Sequence, residues 1–273
     1  MNLQQVLDKT LVQKQKLSKS LKAIIMAYNE PIPFSIGDIY TSKNFGDMEV
    51  ISNEGSRNVG VKFLNTGHKV YGLQRGNVVR GNVKDVFVPT VEGIGYLGTP
   101  RYVARLPAYH CWKHMLVRCY SENYHSTRET CSDCSVTDSW HNFCNFEKWY
   151  NENVVEGYHL DKDLIVQGNR VYSPETCCFI PPMLNGLIVE KGKLVDGCEV
   201  GVSKRRKKGS SEYNGLYNVQ YAGVYLARTE NVEEANSLYK EFKKLHFEEL
   251  ADKLEQSATI TPFQAEKLRS RKV

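Results

Sequence analysis

Long apolar runs are missing from this sequence of 273 residues. No stretch of about 18 or more apolar residues occurs, so a transmembrane helix is not expected. The opening segment MNLQQVLDKTLVQKQKLSKSLKAIIMAYNE lacks the continuous apolar core and small-residue cleavage site of a secretory leader. A reducing cytoplasm is the expected setting, and the eight cysteines are expected as thiols or metal ligands rather than disulfides. A second CxxC is also missing. Cys131 and Cys134 make one half of a zinc site, and the other half would need Cys144, Cys177, Cys178 or His141. Cys177 and Cys178 are adjacent and would point to opposite faces of a strand. Buried thiols acting as small hydrophobes are therefore favoured over a structural Zn²⁺. The glycines of TVEGIGYLGTPRYVA are followed by neither a helix start nor a Lys-Ser/Thr pair, which excludes a phosphate-binding loop and leaves a linker plus turn.

With 41% hydrophobic and 25% charged residues, the chain is globular and long enough for two or more modules. A net charge of +5 is mild, but it is unevenly placed. Lys204, Arg205, Arg206, Lys207 and Lys208 form an unbroken run, and Lys267, Arg269, Arg271 and Lys272 follow near residue 273. A polyanion partner is expected, nucleic acid ahead of membrane because no apolar face flanks the run; a plain solvated loop is the alternative.

Leu3, Val6, Leu7, Leu11, Leu17, Leu21, Ile24 and Ile25 suit an amphipathic helix with a basic outer face, ended by Pro31 and Pro33. From Ile36 to Val88, short alternating runs (GDIYTS, DMEVIS, VGVKFLNTG, HKVYGLQRG, VKDVFVP) predict a small, strongly bent antiparallel barrel. Two helices follow, HCWKHMLVRCYSENY and HNFCNFEKWYNEN. The first carries Cys111, Met115, Arg118 and Cys119 along one side, and Trp112, Trp140, Phe143, Phe146 and Trp149 are expected as a shared core.

The segment HLDKDLIVQGNRVYSPETCCFIPP, from His159 to Pro182, predicts strands Leu160 to Val166 and Arg170 to Tyr172 joined by Gln167, Gly168 and Asn169. Asp161, Lys162 and Asp163 lie beside His159 in one short strand, which points to a site or a nucleic-acid contact; a solvated edge strand is the alternative. Beyond it, Val202, Tyr217, Val219, Tyr221, Val224 and Leu226 mark three short strands. A helix from Val232 to about Leu254 is predicted to bury Ala235, Leu238, Tyr239, Phe242 and Leu245, with Asn231 as N-cap and Glu234 three residues on.

Together, GIGYLG, CWKHMLVRCYSENY, SVTDSWHNFCNFEKWYNEN and HLDKDLIVQGNRVYSPETCCFIP resemble a family of bacteriophage HNH-type proteins related to homing endonucleases, over residues 35–190. The resemblance implies a ββα-metal site in which a strand carries an acidic residue followed by a histidine base, with a divalent ion assisting phosphodiester hydrolysis. Asp161 falls at the acidic position, and Ser173-Pro174-Glu175 resembles the Pro-Glu-Asn turn that closes the motif. Lys162 stands where the family has histidine; His159, two residues earlier on the same strand face, could substitute. The order of strands and helix after residue 196 resembles the Apetala-type DNA-binding domain, whose sheet enters the major groove. Ala227-Arg228-Thr229 replaces the usual glycine-containing turn.

These resemblances imply an α+β, multi-domain chain. Its parts are an N-terminal helix (1–32), an SH3-like barrel (33–96), an HNH-like ββα module (97–192), an Apetala-type domain (196–256) and a basic tail (257–273). The implied activity is a phage-type, metal-dependent DNA endonuclease or nickase acting in the host bacterial cytoplasm. Asp161 and His159 would organise Mg²⁺ or Mn²⁺ and water, Lys162 would hold the scissile phosphate, and Asp163 or Glu175 would complete the site. Lys204 to Lys208, with Asn218 and Gln220, would contact double-stranded DNA. The alternatives are a DNA-binding protein that does not cut, and a protein that holds a host protein machine.

Overall fold

The computed structural model describes residues 13–19, 34–128, 132–188 and 197–273. Residues 13–19 are helical and exposed, and the rest of the expected N-terminal helix lies outside the described residues. The chain divides into two compact units, residues 1–85 and 86–273. Among the described residues no helix is long and apolar enough to cross a membrane.

In the first unit, strands β1 (Ile39–Ser42), β2 (Gly46–Asn53), β3 (Val59–Phe63) and β4 (Lys69–Leu73) pair antiparallel in sequence order. Alternation buries Met48, Val50, Val59, Val61 and Phe63 completely. The expected barrel does not close: β1 and β4 remain the two edges of an open sheet. The run VKDVFVP is not a strand, and Val83 tucks under the sheet beside Val78 of the short helix α1 (Arg75–Val79). Asp85 is buried, accepting from the Thr66 hydroxyl and lying 3.1 Å from His68 Nδ1.

The second unit is built on helix α2 (Pro107–Tyr120), the one-turn helix α3 (Glu122–His125) and helix α4 (Phe143–Asn153). Trp112, Trp140, Phe143 and Phe146 form its centre, as expected, with Trp149 packed against it, and Trp112 Nε1 donates to the Trp140 carbonyl at 2.6 Å. The glycine-rich connector belongs to this core. Tyr96 exchanges backbone bonds with His141 and Phe143, each at 2.9 Å, and a Cβ at Gly95 would collide with Trp112 and Leu116.

The expected hairpin does not form. Strand β6 (His159–Asp161) pairs antiparallel with β8 (Cys178–Ile180), while β5 (Ser135–Val136) pairs parallel with β7 (Val171–Tyr172). The cause is Asp161, whose Oδ2 accepts from the amides of Asp163 at 2.8 Å and Leu164 at 2.6 Å, turning the chain where the strand was expected to continue. Helix α5 (Pro182–Ile188) follows β8 directly.

Strands β9 (Val202–Arg206), β10 (Tyr213–Tyr221) and β11 (Val224–Thr229) form an antiparallel sheet ordered β11-β10-β9, backed by helix α6 (Val232–Gln256). Asn231 caps α6 by accepting from the Glu234 amide at 2.9 Å. The early turns bury Ala235 against the sheet, with Leu238 and Tyr239 packed beside it. The later turns instead bury Phe247, Leu250, Ala251 and Leu254 against α5 and helix α7 (Pro262–Arg269). The buried stripe thus turns by roughly a third of a circle along the helix. Phe242 and Leu245, expected in the core, are exposed.

The expected basic tail is folded structure. Thr261 and Gln264 form a capping box for α7, and Arg269 pairs with Asp252 and Glu255 of α6. Arg271 is buried, donating at 2.8 Å to the carbonyls of Asp163 and of Ile188. The Lys272 backbone exchanges two hydrogen bonds with the Gln167 side chain, at 2.9 and 3.0 Å. The Arg269 and Arg271 guanidiniums, with the Lys272 backbone, are thus consumed in joining α6, α7 and the loop after β6.

Candidate nucleic-acid interface and the carboxylate turn

The residues expected to be catalytic do not converge on one point. Asp161 is buried and its Oδ2 is committed to two amides. Lys162 is buried as well: Nζ donates to Asp163 Oδ2 at 2.9 Å and to the Asn169 carbonyl at 2.8 Å, with the Tyr172 ring 5.9 Å from it. Asn169 returns the contact, its Nδ2 donating to the carbonyls of Lys162 and Val171 at 3.0 and 2.7 Å. Lys162 and Asp163 therefore lace the loop between β6 and β7. Glu175 is exposed in the Ser173-Pro174-Glu175 turn, where the Ser173 hydroxyl and its own amide hold its carboxyl below the usual range. His159 is exposed on β6 and faces a cleft against α2 rather than this loop.

A Mg²⁺ or Mn²⁺ ion does not fit this set. Among the described residues, no three His, Cys, Asp or Glu side chains are grouped to hold a metal. Asp161 Oδ2 is engaged by two amides, and Lys162, the next residue, places a cation in the same loop. Cys131, half of the CxxC pair, lies outside the described residues. Cys177 packs into the aromatic core, Cys178 packs against the α5–α6–α7 core, and burial pushes the Cys178 thiol up to about 12.

Burial raises the Asp161 pKa above its usual 3.8; the Leu164 amide opposes the rise, Asp163 adds to it, and the Asp163 amide and Lys162 oppose it. A carboxyl with a raised folded pKa binds its proton more tightly folded than unfolded. Its contribution to stability is greatest at low pH and declines as pH climbs from 3.8 through the folded value. The stability of the parent protein relative to Asp161→Asn should accordingly fall as pH rises from 3.8 in urea titrations. A difference that grows with rising pH would show that the amide bonds outweigh burial.

The sheet β9-β10-β11 sorts the basic run by register. Val219 pairs with Val202 and Ala227, and these residues face α6. Asn218 pairs with Ser203 and Arg228, so alternation puts these three on the outer face, joined by Arg205 and Gln220. Arg228 Nε donates to Asn218 Oδ1 at 3.3 Å. The shift in register after Val219 places Leu226 and Ala227 together against the helix side and sets Tyr225 opposite Gln220. Lys204 and Arg206 pair with Tyr217 and Tyr213 on the other face, and Lys207 bridges the turn to Glu212 at 2.9 Å, with Lys208 exposed beside it. Arg228 and Tyr225 were missed in the sequence because only the register across β11 brings them to Asn218 and Gln220. Comparison of the chain with family models, curated proteins and solved structures finds no match in any of the three.

Proposed function

We propose that the chain binds double-stranded DNA through the outer face of the β9-β10-β11 sheet. The observation that carries this reading is the row Ser203, Asn218 and Arg228 across the three strands, flanked by Arg205 and Gln220. Guanidinium groups suit guanine edges and phosphates, and Asn and Gln amides suit adenine, whereas an ordinary solvated face mixes acids with bases. No acidic residue belongs to this row. The strand–strand–helix order of β6, β8 and α5 is compatible with an HNH-like ancestry, but Asp161 and Lys162 have structural duties, so the reading rests on binding rather than cutting.

Duplex binding measured from low to high salt tests it. Affinity should fall linearly on a log–log plot. Arg205→Ala and Arg228→Ala should each cost about 1–3 kcal/mol and lower the salt slope by about one for each phosphate no longer neutralised. Undiminished affinity in the double variant would sink the sheet as the interface.

A further inference from the structure

Strand β10 outruns the sheet it belongs to. It has nine residues against six in β11, and its pairing with β11 stops at Tyr217, opposite Thr229. Beyond that pair only β9 lies beside it, with Tyr213 opposite Arg206, and the Lys207 amide donates to the Glu212 carbonyl at 2.8 Å where the turn begins. At about 3.3 Å per residue, the three steps from Lys204 to Lys207 carry this two-stranded arm roughly 10 Å past the end of β11, before its turn. The register shift between Tyr213 and Tyr217, with Gly215 at φ 84°, puts a bulge where the arm leaves the sheet. The rings of Tyr213 and Tyr217 lie 5.4 Å apart along one side of it.

The arm carries cations on both faces. Arg205 belongs to the outer face and Arg206 to the opposite one, while Lys208 is exposed in the turn. From Lys204 to Tyr221 the one acidic residue is Glu212, and Lys207 holds it at 2.9 Å. A phosphate strand lying against one face would call for cations on that face alone. A groove presents phosphates on two sides, and that is the pattern a ribbon charged on both faces fits. The major groove, about 12 Å wide, admits a two-stranded ribbon, whereas the minor groove, about 6 Å wide, does not. We propose that the β9–β10 arm lies in the major groove of duplex DNA beyond the end of the sheet, with Arg206 and Lys208 set against phosphates. This rests on the reading of the sheet as a duplex-binding face, but Arg206 and Lys208 are not part of the row that carries that reading.

Two variants of the full chain test the assignment against the parent. One is Arg206→Gln with Lys208→Gln, which leaves the backbone as it is; the other closes the arm early with Asn-Gly in place of residues 207–212, a two-residue turn that suits the Arg206–Tyr213 pair. Each is titrated with a mixed-sequence duplex, with the same duplex coated by distamycin in its minor groove, with a duplex whose major groove is filled by glucosylated 5-hydroxymethylcytosine, and with a single strand. The double variant should bind the plain duplex about tenfold more weakly at 0.1 M salt, its salt slope lower by about two, and the shortened chain should lose about one from its slope. Both deficits should persist on the distamycin-coated duplex and disappear on the glucosylated one, where parent and variants bind alike. Unchanged affinity and slope in the double variant would overturn the proposal, as would deficits that vanish under distamycin, which place the arm in the minor groove, or that are equally large on a single strand, which make it a general polyanion contact. Normal binding by Arg205→Ala with Arg228→Ala, alongside weakened arm variants, would remove the sheet and keep the arm; weakening confined to the sheet variants would do the reverse.

Discussion

Replacing Lys162 by methionine should destabilise the second unit by about 2–3 kcal/mol while leaving the DNA affinity of the folded protein and its salt slope unchanged. The magnitude follows from what the ammonium does. It donates to Asp163 Oδ2 and to the Asn169 carbonyl, and its side chain is only 9% exposed. Methionine fills similar volume but leaves both acceptors without their donor. Asp163, at 29% side-chain exposure, recovers part of the loss by turning to water, which keeps the cost below that of a fully sealed ion pair. Urea unfolding monitored by circular dichroism gives the first quantity, and duplex titration the second. The phosphate-holding role that position 162 suggests in the sequence requires the reverse pattern, with stability intact and a shallower salt slope. Finding that pattern would return Lys162 to the nucleic-acid surface.

Trp112→Ala is expected to cost about 3–5 kcal/mol, the range for a buried large aromatic. Trp112 has no exposed surface, packs 5.4 Å from the Phe143 ring and spends its N–H on the Trp140 carbonyl. Removing it opens a void under α2 and orphans that carbonyl. Val61→Ala, in the core of the first unit, is the comparison: it should lower stability by less, because it removes two methyl groups rather than an indole. A Trp112→Ala protein that melts within about 1 kcal/mol of the parent would mean that α2 is held by something other than this aromatic core.

How far the fold could be read in advance depended on whether local pattern or distant partners decided each feature. The first four strands were legible because alternation at Met48, Val50, Val59 and Val61 is a local signal. Closure into a barrel was not, since it turned on whether Val83 joined a strand or slid beneath the sheet. The N-cap at Asn231 was legible for the same local reason, whereas the exposure of Phe242 and Leu245 follows from α7 claiming the far end of α6. At the site, Gln167, Gly168 and Asn169 do turn, with Gly168 at φ 73°, but the turn belongs to a laced loop rather than a hairpin. Asp161 is a residue type that captures the amides following it, so a turn there competes with a strand, and only the packed structure decides between them. Asn218 and Gln220 follow from alternation along β10, whereas Arg228 joins them only through cross-strand register.

The bonds from Arg271 to the carbonyls of Asp163 and Ile188 span 108 and 83 positions of the chain. Closure over such distances is slow to achieve and is rewarded only once both ends are in place. During synthesis, the loop that carries Lys162 waits, incompletely fastened, until the residues through Arg271 have emerged. Renaturation of residues 86–273 should for that reason show the aromatic cluster around Trp112 gathering early, from contacts near in sequence, and the loop becoming protected from hydrogen exchange last.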